Sequence, residues 1–245
     1  MSRPNNGDAP LLVVKNLTRA FGSRLAIQEA SFTLGVGERL ALVGPNGAGK
    51  TTLLKLIAGV LAADYGTIAI DGLSPALARQ TAGLVGWLPE SAPLNPDLTV
   101  LEHLSLSADF LGLKSPSADQ KIEELIGALN LKEKLPRLCG QLSLGSRRQV
   151  ALALALMGPP KLLLLDEPTS SLDPLEVLRC REYLRTLPES TSIIISSHAL
   201  DEAAKSTTLA LFVAAGRISG PRPWPALGPD LEASYLRETR ESPRL

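Results

Sequence analysis

The segment 40–54, LALVGPNGAGKTTLL, constrains what this chain can fold into more than any other stretch. The apolar run Leu40–Val43 predicts a short buried strand, and apolar residues at helical spacing from Thr51 to Ala58 predict a helix. Between them, Gly44–Thr51 fits the pattern of a glycine, four residues, then Gly-Lys-Ser/Thr. A strand, a glycine-rich loop and a helix in this order are the context that the pattern requires.

The residue types of this loop suit phosphate oxygens. Glycines let backbone N–H groups turn inward without a Cβ in the way, and the positive end of the following helix attracts anions. Lys50 adds a charge for the outer phosphates, and the Thr51 hydroxyl is a ligand for Mg²⁺. The residues that we expect at the nucleotide are Gly44, Pro45, Asn46, Gly47, Ala48, Gly49, Lys50, Thr51 and Thr52.

Charge and hydropathy narrow the function classes. The 245 residues contain 25 Lys plus Arg and 25 Asp plus Glu. This balance argues against a nucleic-acid partner held by bulk electrostatics, and we expect none. The most apolar region, Val150–Leu165, is interrupted by Gly158–Lys161 and is shorter than the ~20 residues that span a bilayer. The N-terminal residues lack an apolar signal. We therefore expect a soluble protein, or one attached to a membrane through a partner.

The rest of the pattern alternates strands with helices, which favours a mostly parallel sheet. Leu11–Val14 and Ala30–Leu34 are predicted to be strands, with a loop between them that contains Phe21 and Arg24. Between Leu98 and Gly140 there is no strand signal, and this region reads as a helical insertion whose two helices are capped by Thr99 and Ser117. Residues 1–10 are predicted to be a flexible tail, and residues 219–245 a surface tail. Cys139 and Cys180 lack metal or redox spacing and are predicted to be buried, reduced thiols in a cytoplasmic protein.

Three further segments carry candidate site residues. An apolar run ends in Asp166 and Glu167, which could hold Mg²⁺ and polarise a water molecule, because ligands gather at the carboxyl ends of parallel strands. His198 also follows a predicted strand and could hydrogen-bond a γ-phosphate, although a structural histidine is the simpler reading of that residue alone. Ser143 or Ser146 can cap the next helix, whose N-terminus is either a second anion site or an ordinary cap.

Taken together, these motifs resemble the ATP-binding subunit of ABC transporters over residues 11–216. GPNGAGKTT resembles the Walker A loop, LLLLDEP the Walker B strand with its glutamate, SLDP the D-loop, and SSHALDEA the segment of the switch histidine. Phe21 lies where the family places an aromatic residue that stacks on adenine. The resemblance implies an α/β P-loop NTPase with a mostly parallel sheet core, an N-terminal antiparallel β subdomain and an inserted helical subdomain. The implied domain covers residues 11–218, with the insertion at 98–140.

Two motifs depart from the family pattern. The signature is Leu-Ser-Leu-Gly-Ser instead of Leu-Ser-Gly-Gly-Gln, so that Ser143 and Gly145 are kept. The Q-loop carries Glu90 where the family has glutamine, and in this the chain resembles exporter-like members.

The resemblance assigns roles to these residues. Glu167 is expected to activate water and His198 to sense the γ-phosphate, while Thr51, Asp166 and Glu90 serve Mg²⁺. Ser143, Gly145 and Asp173 would contact ATP bound by a facing subunit, either a second copy or a related ATP-binding subunit. The implied partner is an integral membrane permease, docked by the helical insertion on the cytoplasmic face of a membrane. Two alternatives remain open, namely a stand-alone P-loop NTP switch and a weakly hydrolysing regulatory subunit of a heterodimer.

Overall fold

The structure is a computed structural model that describes residues 9–76, 83–228 and 231–240, except for the side chains at positions 232, 239 and 240. The predicted tail at residues 1–10 therefore lies almost wholly outside the described residues. Chain contacts divide the molecule into two units, the first formed by residues 1–81 and 190–245 and the second by residues 82–189.

The first unit contains two sheets and helices between their strands. Its strands are β1 Leu12–Phe21, β2 Arg24–Leu34, β3 Arg39–Val43, β4 Tyr65–Ile70, β7 Ser192–Ser197, β8 Leu209–Ala214 and β9 Arg217–Pro223. Its helices are α1 Lys50–Ile57, α6 Leu200–Ser206 and α7 Leu231–Arg240. The second unit contains strands β5 Val85–Leu88 and β6 Leu162–Asp166, with helices α2 Val100–Phe110, α3 Ser117–Ala128, α4 Leu144–Ala155 and α5 Pro174–Thr186.

An antiparallel sheet, β2-β1-β4, forms the N-terminal part of the first unit. The sequence predicted two short strands with a loop around Phe21 and Arg24, whereas β1 and β2 continue to a tight turn between these residues. The reason is that one face of an antiparallel sheet can carry polar residues, so Arg19 and Arg24 do not end the strands.

Parallel pairing builds the part of the first unit that carries the phosphate loop. β3 lies between β7 and β8 and is parallel to both. In the second unit, β5 and β6 are also parallel. Every residue of β6 is buried, as expected for a strand covered on both faces. The α/β class, the mostly parallel pairing and the antiparallel N-terminal sheet are therefore as predicted.

The segment 98–140, all of it described, contains α2, α3 and two short 3₁₀ turns, and no strand. Thr99 caps α2, because its hydroxyl accepts from Glu102 N while the Glu102 carboxylate accepts from Thr99 N. Ser117 was expected to cap α3, but it is the first helical residue and Pro116 is the N-cap.

The C-terminal segment differs from its prediction. Residues 219–245 were expected to be a surface tail, yet β9 pairs antiparallel with β8 and α7 contacts β8 and α6. Trp224 and Leu227 are buried in a cluster around Phe212. β9 was not predicted from the sequence because it contains Pro221 and Pro223. Prolines are tolerated in a strand at the edge of a sheet, whereas they are excluded from a strand in its middle.

Both cysteines are buried and free, as predicted. Burial raises the pKa of the Cys180 thiol to about 12. None of the helices in the described part of the chain is both long and apolar enough to cross a bilayer.

Candidate functional site

The phosphate loop of the first unit lies between β3 and α1. Gly49 is the N-cap of α1 and no side chain caps this helix, whose first turn carries no acidic residue. The positive end of the helix and its first N–H groups are therefore free of a competing carboxylate. This is the arrangement that suits an anion.

Glycine is required at two positions of the loop for steric reasons. A Cβ on Gly44 would lie 2.1 Å from the carbonyl oxygen of Val213. Gly49 has φ +118°, and a Cβ there would lie 2.4 Å from the carbonyl oxygen of Ala26. The loop is thus fitted closely against β8 and β2, which fixes the direction of its backbone donors.

Lys50 is 7% exposed, and its Nζ donates to the carbonyl oxygens of Gly44 at 2.7 Å and Pro45 at 3.2 Å. The ammonium group is therefore held inside the loop, where a phosphate would find both a charge and backbone N–H donors. Thr51 and Thr52 are half-buried at the start of α1, whereas Pro45, Asn46 and Gly47 are exposed and Ala48 is buried. The donor set fits the phosphates of a nucleotide.

The β1–β2 turn contacts this loop. Arg24 Nη2 donates to the carbonyl oxygen of Gly47 at 2.7 Å, a contact that the sequence reading did not anticipate. Phe21, at the end of β1, is 49% exposed, and the guanidinium of Arg19 lies 4.9 Å from its ring centroid. An exposed aromatic ring in this turn is compatible with stacking on a base, which stays a prediction.

His198 directly follows β7. The register of the parallel pair β3–β7 places Ser197 opposite Val43, the residue before Gly44. The histidine and the phosphate loop are therefore brought to the same edge of the sheet, and the His198 side chain is exposed there. The sequence placed both residues at strand ends, and the register now makes them neighbours.

The second unit brings the predicted carboxylates together in the same way. Leu88 lies opposite Leu165 in the parallel pair β5–β6, so Glu90 follows one strand, while Asp166 ends the other and Glu167 follows it. Asp166 is fully buried and Glu90 is exposed. Glu167 has φ +49°, a left-handed conformation that is uncommon outside glycine.

The signature residues lie against the loop that precedes α5. Ser143 caps α4, and its hydroxyl accepts from Ser146 N at 3.2 Å. A Cβ on Gly145 would lie 2.6 Å from the carbonyl oxygen of Ser171. Asp173 caps α5 by accepting from Glu176 N at 2.9 Å. Ser143 and Asp173 thus have structural roles within the unit, and their contact with a facing nucleotide stays a prediction.

Arg148 is a residue that sequence reasoning missed. It is 3% exposed on α4 and donates to the carbonyl oxygens of Glu90 and Glu167 and to Ser170 Oγ. Burial lowers the pKa of its guanidinium, whereas the carboxylates of Glu90, Glu167 and Asp166 favour the charged form. The signal in the sequence was the pair Arg147-Arg148 at the start of a helix whose last six residues are apolar.

Metal ligands of the expected kind are present, although no group of three or more His, Cys, Asp and Glu residues that could hold a metal ion occurs among the described residues. Mg²⁺ does not need such a group, because it is usually bound by one or two carboxylates together with substrate phosphates and water. A threonine hydroxyl after the loop and the carboxylates at the end of β6 are hard oxygen donors of this type.

Comparison with known proteins gives a consistent result. Residues 27–170 match the model of the family described as "ABC transporter". The Nod factor export ATP-binding protein I of Burkholderia lata is 38% identical over 193 residues, which are 78% of this chain and 64% of that protein. The protein of the same name from Ralstonia nicotianae is 33% identical over 204 residues, or 82% of this chain and 64% of that protein. The chain therefore matches less than two thirds of the length of these relatives.

Among solved structures, one described as the ATP-binding subunit of an ABC transporter superposes with a TM-score of 0.86 at 27% identity, covering 93% of this chain and 98% of that one. A dimeric ATP-binding cassette in a post-hydrolysis state bound to ADP and Pi superposes with a TM-score of 0.79 at 22% identity, over 86% of this chain and 98% of that chain. The second likeness supports the fold alone.

Proposed function

Because the chain belongs to the ABC transporter family, we propose that it binds and hydrolyses ATP and that this drives a separate membrane-spanning partner. The observation that carries the proposal is the phosphate loop, in which the Lys50 ammonium lies inside a glycine loop before an uncapped helix. The relatives from Burkholderia and Ralstonia, which are named export ATP-binding proteins, support a role in transport.

ATP binding is proposed to involve the phosphate loop, the first turn of α1 and the β1–β2 turn. Backbone N–H groups of the loop and of the first turn of α1 bind the phosphates, with Lys50 at the outer ones. Phe21 stacks on the adenine. Thr51, Asp166 and Glu90 are proposed to hold Mg²⁺, which would neutralise the charge that develops on the phosphates.

Hydrolysis is proposed to depend on Glu167 and His198. The Glu167 carboxylate accepts a proton from the attacking water, and a positioned base of this kind typically contributes about 10²–10⁴-fold in rate. His198 hydrogen-bonds the γ-phosphate. The β3–β7 register supports this role, because Ser197, the residue before His198, pairs with Val43, the residue before Gly44.

We propose that the subunit works as a head-to-tail dimer with a second copy or a related subunit. Ser143, Gly145 and Asp173 of one subunit then contact the ATP bound by the other. The N-terminus of α4, which Ser143 caps, is proposed to serve as an anion site for the nucleotide of the facing subunit. A stand-alone NTP switch has no use for it, so dimerisation that depends on ATP separates the two functions.

The membrane partner is proposed to dock on the helical insertion of the second unit, on the cytoplasmic face of a membrane. A pocket of about 360 Å³ lies beside α2, lined by Trp87, His103 and Leu106 among others. Phe110 borders this pocket and is 81% exposed. Such an apolar side chain at the rim of a pocket is typical of a protein-binding surface.

The experiment is a tagged pull-down from membranes in mild detergent, with the wild-type chain and two variants. A polytopic membrane protein in stoichiometric amount with the wild type, lost in Phe110→Glu and kept in Val60→Glu, supports the proposal. Val60 is the matched control, since it is an apolar residue of the first unit with 63% exposure. Capture of no membrane protein, together with ATP hydrolysis by the pure chain, favours the stand-alone switch.

A second candidate is a regulatory subunit that binds ATP and hydrolyses it weakly within a heterodimer. The observation that favours it is Leu144, which replaces a signature glycine and is 54% exposed at the start of α4. ATP hydrolysis that appears only after mixing with a different ATP-binding subunit would select this candidate.

A further inference from the structure

Arg148, on α4, is hydrogen-bonded to two separate loops of the second unit. Its guanidinium donates to the carbonyl oxygen of Glu90 after β5, to the carbonyl oxygen of Glu167 after β6, and to the hydroxyl of Ser170. The acceptors are 58, 19 and 22 residues away in sequence, respectively.

The geometry of the contacts requires arginine. A guanidinium presents five N–H donors in a rigid planar fork, so that one group can serve three acceptors at once. A lysine would place one ammonium at the end of a flexible stem and could not span the same acceptors. Burying a charge is costly unless it is paired and hydrogen-bonded, and Arg148 meets both conditions through these acceptors and the neighbouring carboxylates.

The contact with Glu167 falls on a strained part of the backbone. Glu167 has φ +49°, and a non-glycine residue in such a conformation persists when its surroundings determine it. Its carbonyl oxygen accepts from Arg148 and, at 3.1 Å, from Ser170 N. Since the direction of the Cα–Cβ bond follows from the backbone angles, these two bonds fix the direction in which the Glu167 side chain leaves the main chain.

The next residue of α4 contacts the helical insertion. Gln149 Oε1 accepts from Lys134 Nζ at 2.8 Å, and Lys134 also donates to the carbonyl oxygen of Asn130 at 3.1 Å. α4 therefore has one residue bonded to the loops of Glu90 and Glu167 and a second residue bonded to the insertion that is proposed to dock the partner.

We propose that Arg148 is a positioning residue for ATP hydrolysis, which fixes the main chain of Glu167 and Glu90 without itself contacting nucleotide. The inference rests on the proposed function, because it assumes that Glu167 is the base. In this arrangement Arg148 governs the chemical step, whereas the phosphate loop governs ATP binding.

The kinetic test compares Arg148→Lys and Ser170→Ala with the control Arg147→Lys. Arg147 is the adjacent arginine, and its Nη2 donates to the carbonyl oxygen of Gly140 instead. For Arg148→Lys we expect kcat to fall by about 10–100-fold with KM for ATP within about twofold, because a misplaced base slows chemistry without weakening binding. Ser170→Ala should lower kcat by about 2–5-fold, and Arg147→Lys should change it by less than about twofold.

A second measurement does not depend on activity. Amide hydrogen exchange reports the bonds from Ser170 N to the Glu167 carbonyl and from Ala92 N to the Pro89 carbonyl. In Arg148→Lys we expect both amides to exchange at least about tenfold faster, while Arg147→Lys leaves them unchanged.

Unchanged exchange at both amides in Arg148→Lys, or a rise in KM at constant kcat, overturns the inference. A wild-type chain that fails to hydrolyse ATP overturns the proposed function, and the exchange data still decide whether Arg148 holds the two loops. If Arg148→Lys does not fold, the milder variant Ser170→Ala tests the inference in its place. Unchanged exchange of the amide of residue 170, together with unchanged kcat, would contradict the assignment of Arg148 as a positioning residue.

Discussion

Lys50 Nζ donates a 2.7 Å hydrogen bond to the carbonyl oxygen of Gly44, six residues before it. The bond ties the end of the loop to its start and keeps the ammonium at the centre of the backbone donors. Because the loop and its charge form one unit, removing the side chain should affect ATP binding directly.

Lys50→Ala is expected to weaken ATP binding by at least about 30-fold, equivalent to about 2 kcal/mol for a lost charge-assisted contact. The matched control is Lys55→Ala, which removes an exposed lysine from the same helix. The affinity measured by isothermal titration calorimetry should fall by this factor in the first variant and stay at the wild-type value in the second. Equal affinity in both would show that the loop does not bind the phosphates.

Glu167→Gln should form a dimer that persists in MgATP, because the amide keeps the shape of the side chain and cannot accept the proton from water. On adding MgATP to this variant, the mass measured by light scattering is expected to double. The double variant Glu167→Gln with Lys50→Ala is expected to keep the mass of a monomer. A strictly monomeric Glu167→Gln protein would contradict a sandwich of two identical copies.

Gly44→Ala should destabilise the fold. The new Cβ would lie 2.1 Å from the Val213 carbonyl oxygen, so strand or loop must shift, and overpacking of this kind costs about 1–3 kcal/mol or more. Gly127→Ala is the control, since a Cβ there would meet no atom within 4 Å beyond its neighbours in α3, and the change should be neutral or stabilising by up to about 1 kcal/mol. The midpoint of urea unfolding is measured for both variants and the wild type. A Gly44→Ala midpoint at the wild-type value would refute the steric argument.

Local patterns predicted those parts of the fold whose causes lie within a few residues. The Gly44–Thr51 motif predicted the strand, loop and helix around it, and Thr99 before a segment of helical spacing predicted a capped helix. Asp166 was placed at a strand end because a continuous apolar run precedes it. Each of these features depends on neighbours in sequence, which a pattern can report.

Contacts between distant segments were not visible in the same way. Arg148 reads as part of a basic run, and its acceptors become evident only when β5 and β6 bring their loops to one edge of the pair. The strand β9 owes its existence to β8, against which even a proline-rich segment can pair at an edge. The roles of the candidate site residues stay predictions that the variants above can test.

Trp224→Phe should destabilise the protein by about 1–2 kcal/mol, because the indole Nε1 donates a buried 2.9 Å bond to Thr207 Oγ1. Thr207 directly follows α6, the helix after His198. The bond therefore links the C-terminal segment to the end of this helix. A double-mutant cycle with Thr207→Val measures the bond, and we expect a coupling of at least about 0.5 kcal/mol. Strictly additive effects would mean that the bond contributes nothing.

His103 should make stability depend on pH. Its Nε2 accepts from Asn95 N at 2.8 Å, which requires the neutral ring, and burial lowers the pKa of this histidine below its ordinary value of 6.5. The unfolded chain therefore binds a proton more readily, so the free energy of unfolding falls as pH drops through the range near 6.5 and is recovered above it.

His103→Gln offers a carbonyl acceptor that does not titrate. Between about pH 7.5 and about pH 5.5, the wild type should lose more stability than this variant, by up to roughly 1 kcal/mol for one hydrogen bond. All other titrating groups are common to the two proteins, so the difference between their urea midpoints isolates the histidine. Parallel pH profiles for wild type and His103→Gln would contradict the assignment of His103 as a neutral acceptor.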